Sequence, residues 1–370
     1  MILGIDVSTY FEEEAVGAKY FCDGKVIDPL KAFYDQGVSC MRIRVWNNPY
    51  SEDGKPYLGG TNDVDTFIKL AKLAKKYGYD ILLDIHYSDF WVDPIKQTVP
   101  KAWRGLPFEE IVNKVYEFTK YCLKKAKEND LDIKYIQIGN EITNGILWPY
   151  AKLDTSTTPR GGYDKLAKIL IAGLKGAKEI YPDIITIIHL ERSYDAEIYD
   201  EYFSSIISLG VNFDIIGMSY YPNWHKSFDD LFNNVEACKK KFHKDVMIME
   251  TSYGFTLEDY LPGHQKDYQM VLNEKILKEL DVHLPYPISP EGQKQYIIDL
   301  INLSKKHGVI GIFYWEPMWI PHGYDLCWAS KEAQHYISEE NRSTRNEWAN
   351  QCLFDYNGNM LPAFKEYKVK

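Results

Sequence analysis

The chain has 370 residues, 45% of them apolar, 26% charged and 15% aromatic, with 43 Lys and Arg against 53 Asp and Glu. That apolar share can fill a large core, which excludes disorder as the main state, and no apolar run approaches the roughly 20 residues a membrane-spanning helix needs. The net charge of −10 argues against nucleic acid and anionic membranes as partners. In chain order, eight short β-branched runs alternate with longer amphipathic stretches: residues 2–7, 39–46, 79–85, 133–138, 184–190, 213–219, 245–250 and 309–315. Several are nearly continuous in apolar character (DILLDI, YIQIG, IITIIHL, VMIME), as expected of parallel strands covered on both faces.

The intervening stretches carry helix signals. Asn62-Asp63 precedes DTFIKLAKLAKKYG, with apolar residues at helical spacing and a stop at Gly78. Pro107 opens a segment with acids in its first turn and lysines in its last, matching the helix dipole. YDKLAKILIAGLKGAKEIYP ends at Pro182, and Ser289-Pro290 begins a helix that closes at Gly308. Strand–helix alternation eight times over predicts an α/β fold, a single (β/α)₈ TIM barrel across residues 1–370. The alternative, a doubly wound sheet, lacks its GxGxxG or GxxxxGK[ST] signature here.

The segments 47–62, 87–106, 143–162, 251–290 and 316–351 are long and follow strands, so they crowd the C-terminal face, where active sites of such barrels lie. They concentrate the aromatic excess of 29 Tyr, 16 Phe and 9 Trp. The six cysteines are scattered without a CxxC, which predicts buried free thiols and no zinc site. The opening MILGIDVSTY has neither a basic n-region nor an apolar h-region, which predicts a cytoplasmic protein or one whose leader has been removed. A monomer is expected.

In a barrel the informative residues are polar ones at strand ends: Asp6 and Ser8, Arg42 and Arg44, Asp84 and His86, Asn140 and Glu141, His189 and Glu191, Tyr220, Glu250 and Glu316. Strands four and seven each end in a glutamate, YIQIGNE and VMIMET. Two carboxyls facing each other across a barrel mouth are what glycoside hydrolysis needs: one protonated to release the leaving oxygen, one ionised to attack the anomeric carbon. A separation of about 5–5.5 Å implies the retaining, double-displacement route. Each residue also has a plainer reading. A strand-end Glu can be an ion-pair partner, Arg44 can hold a catalytic carboxylate ionised or pair with a core acid, and His86 can be structural or touch substrate. Trp91, Trp148 and Trp224 can anchor loops or stack against sugar faces.

The motifs RIRVWNNPY (from Arg42), DIHYSDFWVDPIKQTVPKAW (from Asp84), QIGNEITNGILWP (from Gln137), IGMSYYPNWH (from Ile216), METSY (from Met249) and IFYWEPMWIP (from Ile312) are long and idiosyncratic. With them the sequence resembles the arabinogalactan endo-β-1,4-galactanases of glycoside hydrolase family 53, from Gly4 to Pro362. The resemblance implies an endo-acting hydrolase of β-1,4-galactan that retains the anomer and needs no cofactor. It implies Glu141 as acid/base, Glu250 as nucleophile, Asn140 as a partner of the sugar 2-OH and Tyr220 as a hydrogen-bond partner of the nucleophile. His86 and Arg44 would belong to the −1 subsite, with Trp315 as its aromatic floor, while Asp89, Trp91 and Trp224 would be further substrate contacts. The chain departs from the family at Gly254-Phe255-Thr256, at ERSYD (from Glu191), and in LEDYLPGHQKDY (from Leu257). This last segment lacks the alternating oxygen ligands of a calcium cluster found in some members, so no such site is expected. Other readings remain: a related barrel hydrolase acting on another β-linked polysaccharide or on imported galacto-oligosaccharides, or a carbohydrate-binding protein without catalysis.

Overall fold

Eight strands form a closed parallel barrel in chain order: β1 (Ile2–Asp6), β2 (Cys40–Val45), β3 (Asp80–Ile85), β4 (Tyr135–Ile138), β5 (Ile185–Leu190), β6 (Ile215–Tyr220), β7 (Asp245–Thr251) and β8 (Gly311–Trp315), with β8 pairing back to β1. The computed structural model describes residues 1–261, 270–280, 284–322, 326–338 and 345–368. The TIM barrel expected from the sequence is the observed fold, and each strand overlaps its predicted run.

One helix of the outer ring follows each strand: α1 (Pro29–Asp35), α2 (Val64–Tyr77), α3 (Phe108–Glu128), α4 (Tyr163–Ile180), α5 (Ala196–Ser208), α6 (Phe228–Phe242), α7 (Pro290–Lys306) and α8 (Pro362–Glu366). Their ends follow from the sequence. Asp63 accepts a hydrogen bond from the Thr66 amide at the start of α2, and Gly78 closes it at φ +92°. Ser227 and Asp230 make a reciprocal capping box on α6, and Ser289 caps α7 ahead of Pro290. A hairpin, Tyr20–Cys22 with Lys25–Ile27, is an addition the sequence reading passed over. All six cysteines are free and only Cys22 is more than slightly exposed.

The period-2 alternation of the strands fills the barrel in layers. At the bottom Cys40, Leu82, Tyr135, Ile187, Ile215, Met247 and Phe313 make a small apolar cluster. Further along the strands the inward positions turn polar, with Asp6, Arg42, Asp84, Gln137, His189 and Ser219 all buried. Two residues beyond these come Ser8, Arg44, His86, Glu191 and Tyr221, which with Trp315 reach the mouth. A register shift in the pairing of β6 with β7, and another between β7 and β8, fall beside Glu250. Such shifts bend a strand locally and re-aim its side chains, here turning Glu250 to the mouth directly after Met249 has packed in the lumen.

Candidate active site

A groove of about 420 Å³ opens over the barrel mouth, with Asn140, Glu141, Glu250 and His86 on its floor. Trp91, Trp224, Trp315, Trp328 and Trp348 line it, so more than half of the nine tryptophans belong to this surface. They brace one another: Trp91 lies parallel to Trp328 with centroids 4.7 Å apart, and Trp348 meets Trp315 edge-on at 4.5 Å. Trp224, which meets the Tyr221 ring edge-on at 5.5 Å, stands 40% exposed at the rim. Flat apolar surface beside convergent polar groups suits the faces and hydroxyls of a sugar chain.

An oxygen of Glu141, an oxygen of Glu250 and a ring nitrogen of His189 all lie within 4.8 Å of one another. Glu141 follows Gly139 out of β4 with a positive φ of its own, +50°, a conformation that costs about 1–3 kcal/mol in a non-glycine residue and that surrounding structure must enforce. Here the strain turns the carboxyl back over the barrel axis. The two acids have opposite surroundings. Glu250 accepts a hydrogen bond from the Tyr221 hydroxyl at 2.8 Å and pairs with the Arg42 guanidinium at 2.9 Å. Burial raises its pKa, and Arg42 and Tyr221 offset only part of that rise, to which Asp84 and Asp6 add. Among the described residues no cation acts on Glu141 as Arg42 does on Glu250. Burial, then the charges of Glu250 and Glu191, push it well above the usual carboxylate range. A site that favours the neutral form of one acid far more than that of the other is equipped for proton donation and nucleophilic attack. The same three groups offer three ligand atoms, but the Arg42 charge against Glu250 opposes a metal cation there.

Arg42 reaches across the lumen to Asp6 (3.0 Å), Asp84 (2.9 Å) and Glu250, and donates to the Asn140 side-chain oxygen (2.9 Å). This corrects the expectation for Arg44. Arg44 is 1% exposed and turns to the β8–β1 side, where it pairs with Asp6 and with Glu316 at 2.6 Å. Its guanidinium lies 4.1 Å from the centre of the Trp91 ring, so it supports the groove wall from beneath rather than lining it. Both arginines point inward from one strand, and side-chain length lets Arg42 climb from the lower layer.

The expectation for Tyr220 also needs correction. Its hydroxyl donates to the Lys226 carbonyl at 3.2 Å and its ring packs with Phe228 and Tyr296, on the helix side of β6. The tyrosine that reaches Glu250 is Tyr221, because Ser219 and Tyr221 share the inner face and Tyr220 points away. Asp89 is likewise placed away from the groove. Its carboxylate accepts from the Asn48 and Lys101 backbone amides (3.0 and 2.7 Å) and ties the loops after β2 and β3 together. His86 does line the groove. Trp46 donates to its Nδ1 at 3.1 Å and Asp84 stands 3.0 Å from Nε2, which fixes the ring. Asn140, Trp91, Trp224 and Trp315 line the groove. Sequence reading passed over Trp348, placed Tyr221 only among the aromatics of the C-terminal face, and left Arg42, Ser219 and His189 without roles. The period-2 rule from Glu141 and Glu250 downward was the signal available. Of the segment tied to the calcium expectation, residues 262–268 lie outside the described residues.

An eight-stranded barrel with two facing carboxyls in contrasting surroundings at its mouth, set in an aromatic groove, defines a barrel glycosidase. The chain belongs to glycosyl hydrolase family 53, whose sequence model matches residues 2–367. It is 34% identical to the endo-β-1,4-galactanase of Bacillus subtilis strain 168, over 99% of this chain and 85% of that protein. It is 31% identical to the arabinogalactan endo-β-1,4-galactanase of Cellvibrio japonicus, over 99% and 90%. Among solved structures, the family 53 catalytic domain of Ignisphaera aggregans superimposes with a TM-score of 0.86 at 36% identity, covering 99% of this chain and 95% of that one.

Proposed function

We propose that the protein is an endo-β-1,4-galactanase, cleaving galactan by a retaining double displacement, with Glu141 as acid/base and Glu250 as nucleophile. The galactan specificity follows the names of the relatives. The observation that carries the chemistry is the close approach of Glu141 and Glu250, within 4.8 Å and with opposite electrostatic surroundings. Inverting enzymes need about 6.5–9.5 Å to admit a water between their carboxyls.

Glu141 gives its proton to the glycosidic oxygen while Glu250 attacks the anomeric carbon, so the glycosidic bond breaks as the glycosyl–Glu250 ester forms. Glu141, now a carboxylate, takes a proton from water, whose oxygen displaces Glu250. Arg42 and Tyr221 keep Glu250 ionised for the first step and stabilise it as leaving group in the second. Asn140 and His86 offer polar partners to the sugar hydroxyls, Trp224 and Trp315 offer stacking faces, and Trp91, packed between Trp328 and Arg44, holds the groove wall. Both acids come from one chain, read as one catalytic domain over 1–370, so a monomer suffices.

Glu250→Gln, with wild-type thermal stability, should reduce kcat on galactan by at least about 10³-fold, and Glu141→Gln by about 10²–10⁴-fold. Proton NMR of the first product should show the β-anomer; an initial α-anomer would rule the scheme out. Sizing products from a panel of galactan, mannan and galacto-oligosaccharides tests substrate and endo action together.

A further inference from the structure

A continuous line of polar contacts joins the two carboxyls. Glu141 Oε1 and Ser219 Oγ are 2.5 Å apart, Ser219 Oγ and His189 Nε2 2.8 Å, and His189 Nδ1 and Asn140 Oδ1 3.0 Å. Asn140 Oδ1 also accepts from Arg42, the partner of Glu250. The hydrogens along this line can be assigned in turn from what each atom is able to give. The Asn140 amide nitrogen donates to the Val92 carbonyl at 3.2 Å, and its Oδ1 receives N–H groups from Arg42 and from Gln137 at 3.1 Å. That fixes the amide orientation, so the His189 nitrogen facing Oδ1 must be the one bearing hydrogen. Burial, with Arg42, His86 and His225 around it, lowers the His189 pKa well below the usual imidazole range and keeps the ring neutral. Its Nε2 is then a bare lone pair, and the hydroxyl beside it is Ser219. The single hydrogen of Ser219 goes to His189. Across the remaining 2.5 Å two oxygens meet, and only the carboxyl of Glu141 can supply the hydrogen between them.

We propose that Ser219 and His189 are positioning residues that lodge the resting proton on Glu141, His189 by engaging the Ser219 hydroxyl that would otherwise donate to the carboxylate. The inference rests on the reading of Glu141 as acid/base. When Glu141 passes its proton to the glycosidic oxygen, the Ser219 O–H rotates, giving up its hydrogen bond to His189 for one to the new carboxylate, while its covalent O–H bond stays intact. When Glu141 recovers a proton from water, the hydroxyl turns back. The charged groups facing Glu141 are Glu250 on β7, Glu191 after β5 and Asp93 in the loop after β3, and all three oppose its ionisation. A serine hydroxyl free to donate would favour ionisation, and His189 removes that competitor.

The test is a double-mutant cycle read by pH. In His189→Phe the freed Ser219 hydroxyl can donate to Glu141. The alkaline limb of the kcat/KM profile should then move to lower pH by about one unit, a tenfold change in the ionisation equilibrium. In Ser219→Ala/His189→Phe no such fall relative to Ser219→Ala is expected. His189→Gln, which keeps one donor and one acceptor, should hold the limb near its wild-type position and guards against a misfolded Phe variant. Carboxyl ¹³C NMR of glutamate-labelled protein, with the Glu141 signal identified by its loss in Glu141→Gln, gives the same titration without turnover. An unmoved or raised Glu141 midpoint in His189→Phe, or an equal fall with and without Ser219, overturns the proposal. A midpoint that falls in the NMR titration while the kinetic limb stays put supports the proton placement and instead removes Glu141 from the role of acid.

Discussion

Tyr220 and Tyr221 are neighbours of the same type, and one step along the strand decides which of them touches the nucleophile. Replacing Tyr221 with Phe removes a hydrogen bond to an ionised carboxylate, an interaction of about 1.5–3 kcal/mol, so kcat should fall by about 10–100-fold with the protein folded. Replacing Tyr220 with Phe removes only its bond to the Lys226 carbonyl and should leave kcat and KM unchanged, at a stability cost of about 1 kcal/mol. Steady-state kinetics of the pair settles the assignment, and a larger kinetic loss in the Tyr220 variant would reverse it. Glu141 and Glu250 were legible in the sequence as a pair closing strands four and seven in the NE and TSY contexts, whereas a strand-end glutamate alone decides nothing, as Glu316 paired with Arg44 shows. Tyr221 was legible in principle, since counting by twos from Ser219 reaches it. The choice between Arg42 and Arg44 was not. Both face inward, and only the path of a long flexible side chain separates the one beside Glu250 from the one beneath Trp91.

At the scale of elements, the strands were legible because burial on both faces writes them as unbroken apolar runs, and the helices because caps and dipole charges mark their ends. The hairpin at residues 20–27 carried a turn signal too, Asp23-Gly24, both at positive φ (+50° and +75°) as a type I′ turn requires. Its strands of three residues are too short for periodicity to register. Less visible in a sequence is how closely two helices approach. Gly176 of α4 sits where an added Cβ would stand 2.8 Å from the Tyr116 backbone carbonyl of α3. Alanine normally improves a helix interior by about 1 kcal/mol over glycine. Here Gly176→Ala should instead destabilise by about 1–3 kcal/mol, as overpacking does, because a backbone carbonyl cannot rotate away. Urea unfolding measures the sign, and a stabilised variant would mean that α3 and α4 can slide apart freely.

For the whole molecule, the decisive contact is the one that makes a sheet into a barrel. β8 pairs with β1, and the Tyr367 hydroxyl is fastened across that seam, donating to the Gly4 carbonyl at 2.6 Å and accepting from the Tyr314 amide at 3.1 Å. Gly4 is required there, since a Cβ would fall 2.2 Å from the Phe313 ring. Residues 363 positions apart in the chain thus meet in one closure. During synthesis, β1 therefore leaves the ribosome long before the strand that covers its open edge exists. Until then that edge offers unpaired backbone groups to any other strand nearby. Ribosome-bound chains ending before residue 309 should stay sensitive to protease throughout, and resistance should appear in one step once β8 and Tyr367 have emerged. The enzyme would become resistant to attack, and safe from pairing with its neighbours on the polysome, only once β8 and Tyr367 have closed over β1.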